Sequence, residues 1–224
     1  MEVDSISVEQ NKRFWESNQS EYFGARHAKS IFFLCKNVFG QKILDAGAGD
    51  GSMLRAITQL KPDAAVQGID LAPKSEDVLQ GDLTNLPFEE NSFDTVLFME
   101  VIEHLTKEDT QQILAEITRV LSPGGHLILT TPYAEKLEHS LVCCPKCDHI
   151  FHRYGHQWSF VESDIDEHFK AAGLVTKTIF PVKMNKIKSY KFLGANFFQS
   201  KFMTNRSRKA NGKRNIISIA QKPL

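Results

Sequence analysis

Glu100, Glu103 and His104 stand together in the run Glu100-Val101-Ile102-Glu103-His104-Leu105. Carboxylates and an imidazole at such spacing can take a proton from a reacting group. An unperturbed imidazole titrates at about pH 6.5, which makes His104 the first choice of base, with Glu100 beside it. A further pattern, Cys144-Pro145-Lys146-Cys147 followed by His152 and His156, offers four thiolate and imidazole ligands within 13 residues. That is the number and kind of ligand that tetrahedral zinc takes. His149 competes with His152 for this set, and Cys143 competes with Cys144.

A second kind of site is written in Asp45-Ala46-Gly47-Ala48-Gly49-Asp50-Gly51. Glycines at alternate positions let a backbone turn sharply and approach a ligand closely, and a helix start placed after them offers unpaired N–H groups. Asp70 follows Gly47 by 23 residues at the end of a second apolar run, where a carboxylate can accept from both hydroxyls of a ribose. Gly81-Asp82-Leu83 closes a third run, where an acid can accept from an exocyclic adenine amine while an apolar neighbour covers the ring. A dinucleotide fingerprint would need a third spaced glycine, and that position is Ser52.

The elements that must hold these groups are readable from periodicity. Strands are predicted at 42–45, 65–70, 78–80, 93–99, 126–131, 174–180 and 215–220, and helices at 8–23, 25–39, 52–60 and 108–121. Thr106 with Asp109 three residues on forms a capping pair for the last of these helices. Ser163 is expected to cap one more, ending at Gly173. Strands apolar on both faces and separated by helices argue a parallel sheet covered on both sides, with ligands at the carboxyl ends of its strands.

With these motifs in order, followed by Leu86-Pro87-Phe88, Ser92 to Glu100 and Leu121-Ser122-Pro123-Gly124-Gly125, the sequence resembles the class I S-adenosylmethionine (SAM) dependent methyltransferases over about 10–181. The nearest likeness is to the type 11, ubiquinone-pathway group of O-methyltransferases. The resemblance implies a three-layer α/β/α Rossmann-like fold with a seven-stranded, mostly parallel sheet and a reversed C-terminal hairpin. It implies that SAM lies across the strand tips, with Gly47, Gly49 and Gly51 along the methionine and ribose and Asp45 beneath the loop. Asp70 with Leu71 would take the ribose, Asp82 and Leu83 the adenine, and Met99 with Glu100 the floor near the sulfonium. Glu100, Glu103 and His104 also match the E-x-x-E-H metal ligands of the small-RNA terminal 2′-O-methyltransferases, with His156 of Gly155-His156-Gln157-Trp158 near their second histidine; that likeness implies a divalent cation on these four residues, a reading that competes with the zinc pattern for His156. The same string occurs in metal-free relatives that act on small molecules.

Composition sets the frame. The chain has 224 residues, 42% apolar and 24% charged, with 27 Lys and Arg against 27 Asp and Glu and four Cys, the profile of one soluble domain spanning 1–224. Residues 8–39 are expected to form a helical lid, 139–158 a Cys/His insert and 183–214 a basic insertion. Residues 183–224 hold 11 of the basic residues and none of the acidic ones. Interleaved with Tyr190, Phe192, Phe197, Phe198 and Phe202, this charge suits RNA phosphates, a lipid-linked acceptor at an anionic surface, or a phosphorylated small molecule. No apolar run reaches the roughly 20 residues that cross a bilayer. The acidic start lacks a secretory pattern, so a cytoplasmic, reducing compartment is expected, where clustered cysteines suggest metal rather than a bridge. The reading is a SAM-dependent methyltransferase acting on an oxygen or nitrogen of a small or lipid-linked metabolite. The alternatives are metal-dependent RNA terminal methylation, or SAM binding without turnover.

Overall fold

The computed structural model describes residues 8–17, 23–184 and 214–224. The basic insertion, apart from Lys183, Met184 and Arg214, lies outside the described residues, as does 18–22 within the expected first helix.

Five strands run parallel: β1 (Lys42–Ala46), β2 (Ala65–Asp70), β3 (Val78–Gln80), β4 (Phe93–Met99) and β5 (Leu121–Pro132). β8 (Val175–Val182) and β9 (Asn215–Gln221) complete a seven-stranded sheet of order β3-β2-β1-β4-β5-β9-β8, in which β9 is antiparallel to both neighbours. The reversed hairpin expected from the sequence is therefore present. β6 (Leu141–Cys143) and β7 (Ile150–His152) form a separate two-stranded hairpin inside the insert.

Successive strand residues point to opposite faces, and both faces are apolar here. Ile43, Leu97, Ile128 and Ile217 face a layer made by α2 (Phe23–Cys35) and α3 (Ser52–Leu60), through Ile31, Cys35, Met53 and Ile57. Leu44, Val96, Phe98, Leu127 and Ile216 face α4 (Lys107–Val120) and α5 (Glu162–Ala171), through Leu114, Ile117, Ile165 and Phe169. Phe98 and Phe169 are fully buried, and truncating either to Ala would cost about 3–5 kcal/mol. No helix among the described residues is long and apolar enough to cross a membrane.

Local chemistry decides where elements start. Thr106 Oγ1 accepts from Asp109 N at 3.1 Å and caps α4 as expected. α5 starts earlier than Ser163, because Asp164 reaches back to accept from Val161 N at 2.8 Å and makes Val161 the cap. β5 also starts earlier than residue 126: Leu121 already pairs with Phe93, and Ser122–Gly125 is absorbed as a register shift between Phe93 and Thr95. The sheet order reverses at β1, which lies between β2 and β4, and the crevice at such a switch point is where an open α/β sheet binds ligands.

Candidate functional site

The loop after β1 turns through Gly47, Gly49 and Gly51 at φ 83°, 54° and 71°, the left-handed region that side chains disfavour. Gly47 is closed to substitution for a second reason. A Cβ there would lie 2.4 Å from Val101 Cγ2, just beyond β4. Gly47 N and Ala48 N both donate to Ile69 O, at 2.8 and 3.1 Å, fastening the loop to the end of β2.

Asp70 ends β2 with both carboxylate oxygens placed: Oδ2 accepts from Gly49 N and Oδ1 from Ala72 N, each at 2.8 Å. Leu71 beside it is half-buried. Asp45 is 1% exposed beneath the loop, and its Oδ2 has no protein partner. Burial, helped by Asp70, pushes its carboxyl up to about 7. An orphaned buried carboxylate oxygen under three left-handed glycines fits a ligand that brings a positive charge or hydroxyl donors. Leu83 is buried, while Asp82 is exposed and its Oδ1 accepts from Thr84 N and Oγ1 at 2.9 and 2.8 Å. Met99 is buried at the end of β4, its sulfur accepting from Thr130 Oγ1.

Glu100 follows in the left-handed region at φ 55°, a strained conformation for a residue with a side chain. Two contacts hold it: its N–H donates to Thr130 O at 2.9 Å, and its Oε2 accepts from Asn215 Nδ2 on β9 at 2.8 Å. Its Oε1 is shut off from solvent without a partner, and burial pushes the group up to about 7. Glu103 is buried, with Oε2 accepting from Thr131 Oγ1 at 3.0 Å and Oε1 unpartnered. Burial, then Glu100 and later Glu135, hold it well above the usual carboxylate range.

Residues 155–158 of the insert lie against this segment. Gln157 N donates to Glu103 O, Gln157 Nε2 to His104 O and Trp158 Nε1 to Leu105 O, at 2.7, 2.6 and 2.8 Å. His104 Nδ1 lies 3.2 Å from Gly155 O; a carbonyl can only accept, so Nδ1 carries the proton and Nε2 keeps its lone pair. The ring meets Trp15 of α1 (Val8–Ser17) edge-on at 4.8 Å and His156 at 4.8 Å. Burial first, then His156, drives the His104 pKa down to about 3. This corrects the expectation of an imidazole titrating near working pH: His104 is neutral throughout the physiological range.

Glu135, three residues past β5, is the member of the site that sequence reasoning missed. Its Oε2 takes His156 Nδ1 at 2.5 Å and its Oε1 faces His152 Nε2 at 3.9 Å. His152 Nδ1 accepts from the backbone N–H of His156 and Tyr154, at 3.1 and 3.4 Å, so its proton sits on Nε2, towards Glu135. The one signal available was position, an acid just after the carboxyl end of a central strand.

Among the described residues, two groups of three could hold a metal ion: Glu103, His104 and His156, and Glu135, His152 and His156, with ligand atoms within 4.8 Å. Neither contains a cysteine. The expected set of Cys144, Cys147, His152 and His156 is thus not assembled within this chain. The hairpin register is the reason. Leu141 pairs with His152 and Cys143 with Ile150, which puts the Cys144–Cys147 turn at the far end of the hairpin from His152.

Comparison with known proteins finds methyltransferases. A family described as "Methyltransferase domain" matches residues 44–129. A tRNA (carboxymethyluridine(34)-5-O)-methyltransferase of Arabidopsis thaliana is 31% identical over 143 residues, 60% of this chain and 34% of that protein. A demethylmenaquinone methyltransferase of Tropheryma whipplei is 33% identical over 102 residues, 40% of this chain and 41% of that one. The chain therefore spans less than half the length of these curated relatives. In fold it is similar to the Burkholderia thailandensis 1,6-didemethyltoxoflavin-N1-methyltransferase, solved with S-adenosylhomocysteine, at a TM-score of 0.59 and 17% identity, covering 97% of this chain and 84% of that one.

Proposed function

The chain belongs to the class I SAM-dependent methyltransferase family, and from that premise we propose that it transfers a methyl group from SAM to an oxygen or nitrogen of a small or lipid-linked metabolite. The observation that carries the reading is the Asp70 carboxylate, held by the N–H groups of Gly49 and Ala72 at the rim of the glycine loop. When bound, SAM supplies a methyl group activated by a sulfonium, whose departure leaves a neutral thioether.

The chain's own residues then have defined tasks. Gly47, Gly49 and Gly51 admit the cofactor close to the backbone, Asp45 offers its unpartnered oxygen beneath it, and Asp70 takes the ribose. Leu83 with Asp82 frames the adenine, and Met99 lines the floor. Glu100 is the better-placed base: pushed up to about 7, it is partly deprotonated near neutrality and can remove a proton from an acceptor hydroxyl or ammonium. His104 supplies a neutral Nε2 lone pair that orients the acceptor. The similarity to a demethylmenaquinone methyltransferase supports a metabolite acceptor.

A second reading has its own observation. Glu103, His104 and His156 lie close enough to share a divalent cation, and Glu103 Oε1 is buried without a partner, so the residues fit such an ion. Together with the tRNA methyltransferase relative and the basic segment 183–214, this supports an RNA acceptor.

The test is transfer of labelled methyl from SAM into fractionated small metabolites, lipids and RNA from cells. Label in the metabolite or lipid fraction, independent of added metal, is the expected result. Metal-dependent label in RNA would transfer the conclusion to the second reading. SAM binding with label in no fraction would leave a binding module of the same fold.

A further inference from the structure

We propose that Glu135 is a positioning residue: it holds the His156 ring with its proton on Nδ1, so that the Nε2 lone pair is the one presented to a divalent cation shared with Glu103 and His104. The inference rests on the cation of the second reading above, not on its RNA acceptor, and it adds to that site a carboxylate that no motif supplied.

The three groups of the site have one property in common, an electron pair without a proton. His104 Nδ1 lies 3.2 Å from Gly155 O, which places its proton there and leaves Nε2 to accept. Glu103 Oε2 accepts from Thr131 Oγ1, while Oε1 is shut off from solvent with no hydrogen-bond partner. His156 Nδ1 lies 2.5 Å from Glu135 Oε2. An ionised carboxylate only accepts, so in the neutral ring this proton too sits on Nδ1 and the lone pair is on Nε2. Ligand atoms of Glu103, His104 and His156 come within 4.8 Å of one another. Electron pairs gathered so closely away from water are stabilised by a cation among them.

Glu135 and His152 stand behind this set rather than forming a second one. His152 Nδ1 accepts from the backbone N–H of His156 and of Tyr154, at 3.1 and 3.4 Å. Its proton is therefore on Nε2, and a nitrogen that carries a proton has no lone pair for a metal. That same Nε2 faces Glu135 Oε1 at 3.9 Å, so each oxygen of Glu135 is turned to a different imidazole. The rings of His152 and His156 stack at 4.6 Å with 22° between their planes, which fixes the plane in which the His156 nitrogens lie. A ligating histidine characteristically gives its other N–H to a carboxylate, which sets its tautomer and raises its basicity.

The backbone leading to Glu135 is shaped for this position. Ala134 is in the left-handed region at φ 46°, a conformation that a residue with a side chain keeps only where its surroundings impose it. Here Ala134 N donates to Phe160 O at 2.9 Å, and Tyr133 forms a bridge with Phe160. The strand end carrying Glu135 is thereby tied to the segment just beyond His156.

The experiment uses the full chain with Mn2+ as the probe, read by calorimetric titration, and ring-nitrogen NMR of the metal-free protein. The expected result is a His156 ring protonated on Nδ1 in the parent and a mixture of tautomers in Glu135→Ala. Mn2+ affinity should fall about 10–100-fold in Glu135→Ala, with Glu135→Gln in between because its amide oxygen can still accept. Unchanged S-adenosylhomocysteine affinity in both variants shows that they are folded. Mn2+ bound equally well by the parent and by Glu135→Ala, or a parent His156 protonated on Nε2, overturns the proposal and leaves the cation reading standing. A parent chain that binds no Mn2+ overturns both.

Discussion

Gly49 donates its backbone N–H to Asp70 Oδ2 at 2.8 Å, so the turn of the glycine loop and the orientation of the Asp70 carboxylate are a single geometric fact. Replacing Asp70 by Ala removes the anchor of the loop and, on the proposed reading, the acceptor of the ribose hydroxyls. Affinity for S-adenosylhomocysteine should fall on the order of 100-fold, since hydrogen bonds to a charged group contribute about 1.5–3 kcal/mol each. Calorimetric titration checks this, and an unchanged affinity would remove the cofactor assignment.

Gly47→Ala faces two obstacles, a left-handed backbone at φ 83° and a contact of 2.4 Å with Val101 Cγ2. The variant should lose about 1–3 kcal/mol of stability, and ligand affinity with it. Adding Val101→Ala relieves the contact but not the backbone, so the double variant should recover part of the loss in denaturant unfolding. Full recovery would show that the backbone conformation carries no cost.

Asp45 makes stability depend on pH in an unusual direction. Its pKa is raised from 3.8 in the unfolded chain to about 7 in the fold, so between these values the native state holds the extra proton and stability falls as pH rises. Asp45→Asn should therefore be more stable than the parent at pH 8, by up to about 4 kcal/mol. The gain should shrink through the window and vanish below about pH 4. His104, lowered from 6.5 to about 3, contributes the opposite slope to both proteins and cancels in the comparison. Thermal unfolding of the pair across pH measures the difference directly.

With Glu100 as base, the rate on the identified acceptor should climb as pH passes about 7 and level above it, as the carboxylate loses its proton. Glu100→Gln should lower kcat by about 10²–10⁴-fold and flatten the profile. A profile still rising through the same pH in the Gln variant would assign the proton to another group.

Thr106→Ala deletes the cap that accepts from Asp109 N and should cost about 1 kcal/mol. Thr106→Ser keeps the hydroxyl and should restore it, which separates the hydrogen bond from packing of the methyl group.

The legible parts of the site are those that a backbone requirement dictates. Gly47, Gly49 and Gly51 stand out because few other residues tolerate the turn, and Asp70 because it ends the strand beside that turn, where it accepts from Gly49 N. Glu135 was invisible: it belongs to no element, and its partners His152 and His156 are 17 and 21 positions away with no spacing rule linking them. The pKa of His104 was misjudged for a similar reason. What dehydrates it is Trp15 from α1 and the 155–158 segment, contacts that exist only once distant pieces have come together. Ser163 and Asp164 both carry capping oxygens, and only the backbone path decided between them.

The bond from Asn215 to Glu100 spans 115 positions, and β9, which carries Asn215, inserts between β5 and β8 rather than adding at an edge. A chain emerging in order can pair β1, β2, β3, β4 and β5 and assemble the glycine loop with Asp70 well before β9 exists. The cofactor cleft can thus form on a partly made protein, while the strained Glu100 keeps its backbone bond to Thr130 O but lacks the bond from Asn215 to its side chain until the late strand slides into its slot. With Glu100 as base, competence to bind SAM and competence to use it would arise at different moments of synthesis, and an incomplete chain would capture the methyl donor without transferring its methyl group.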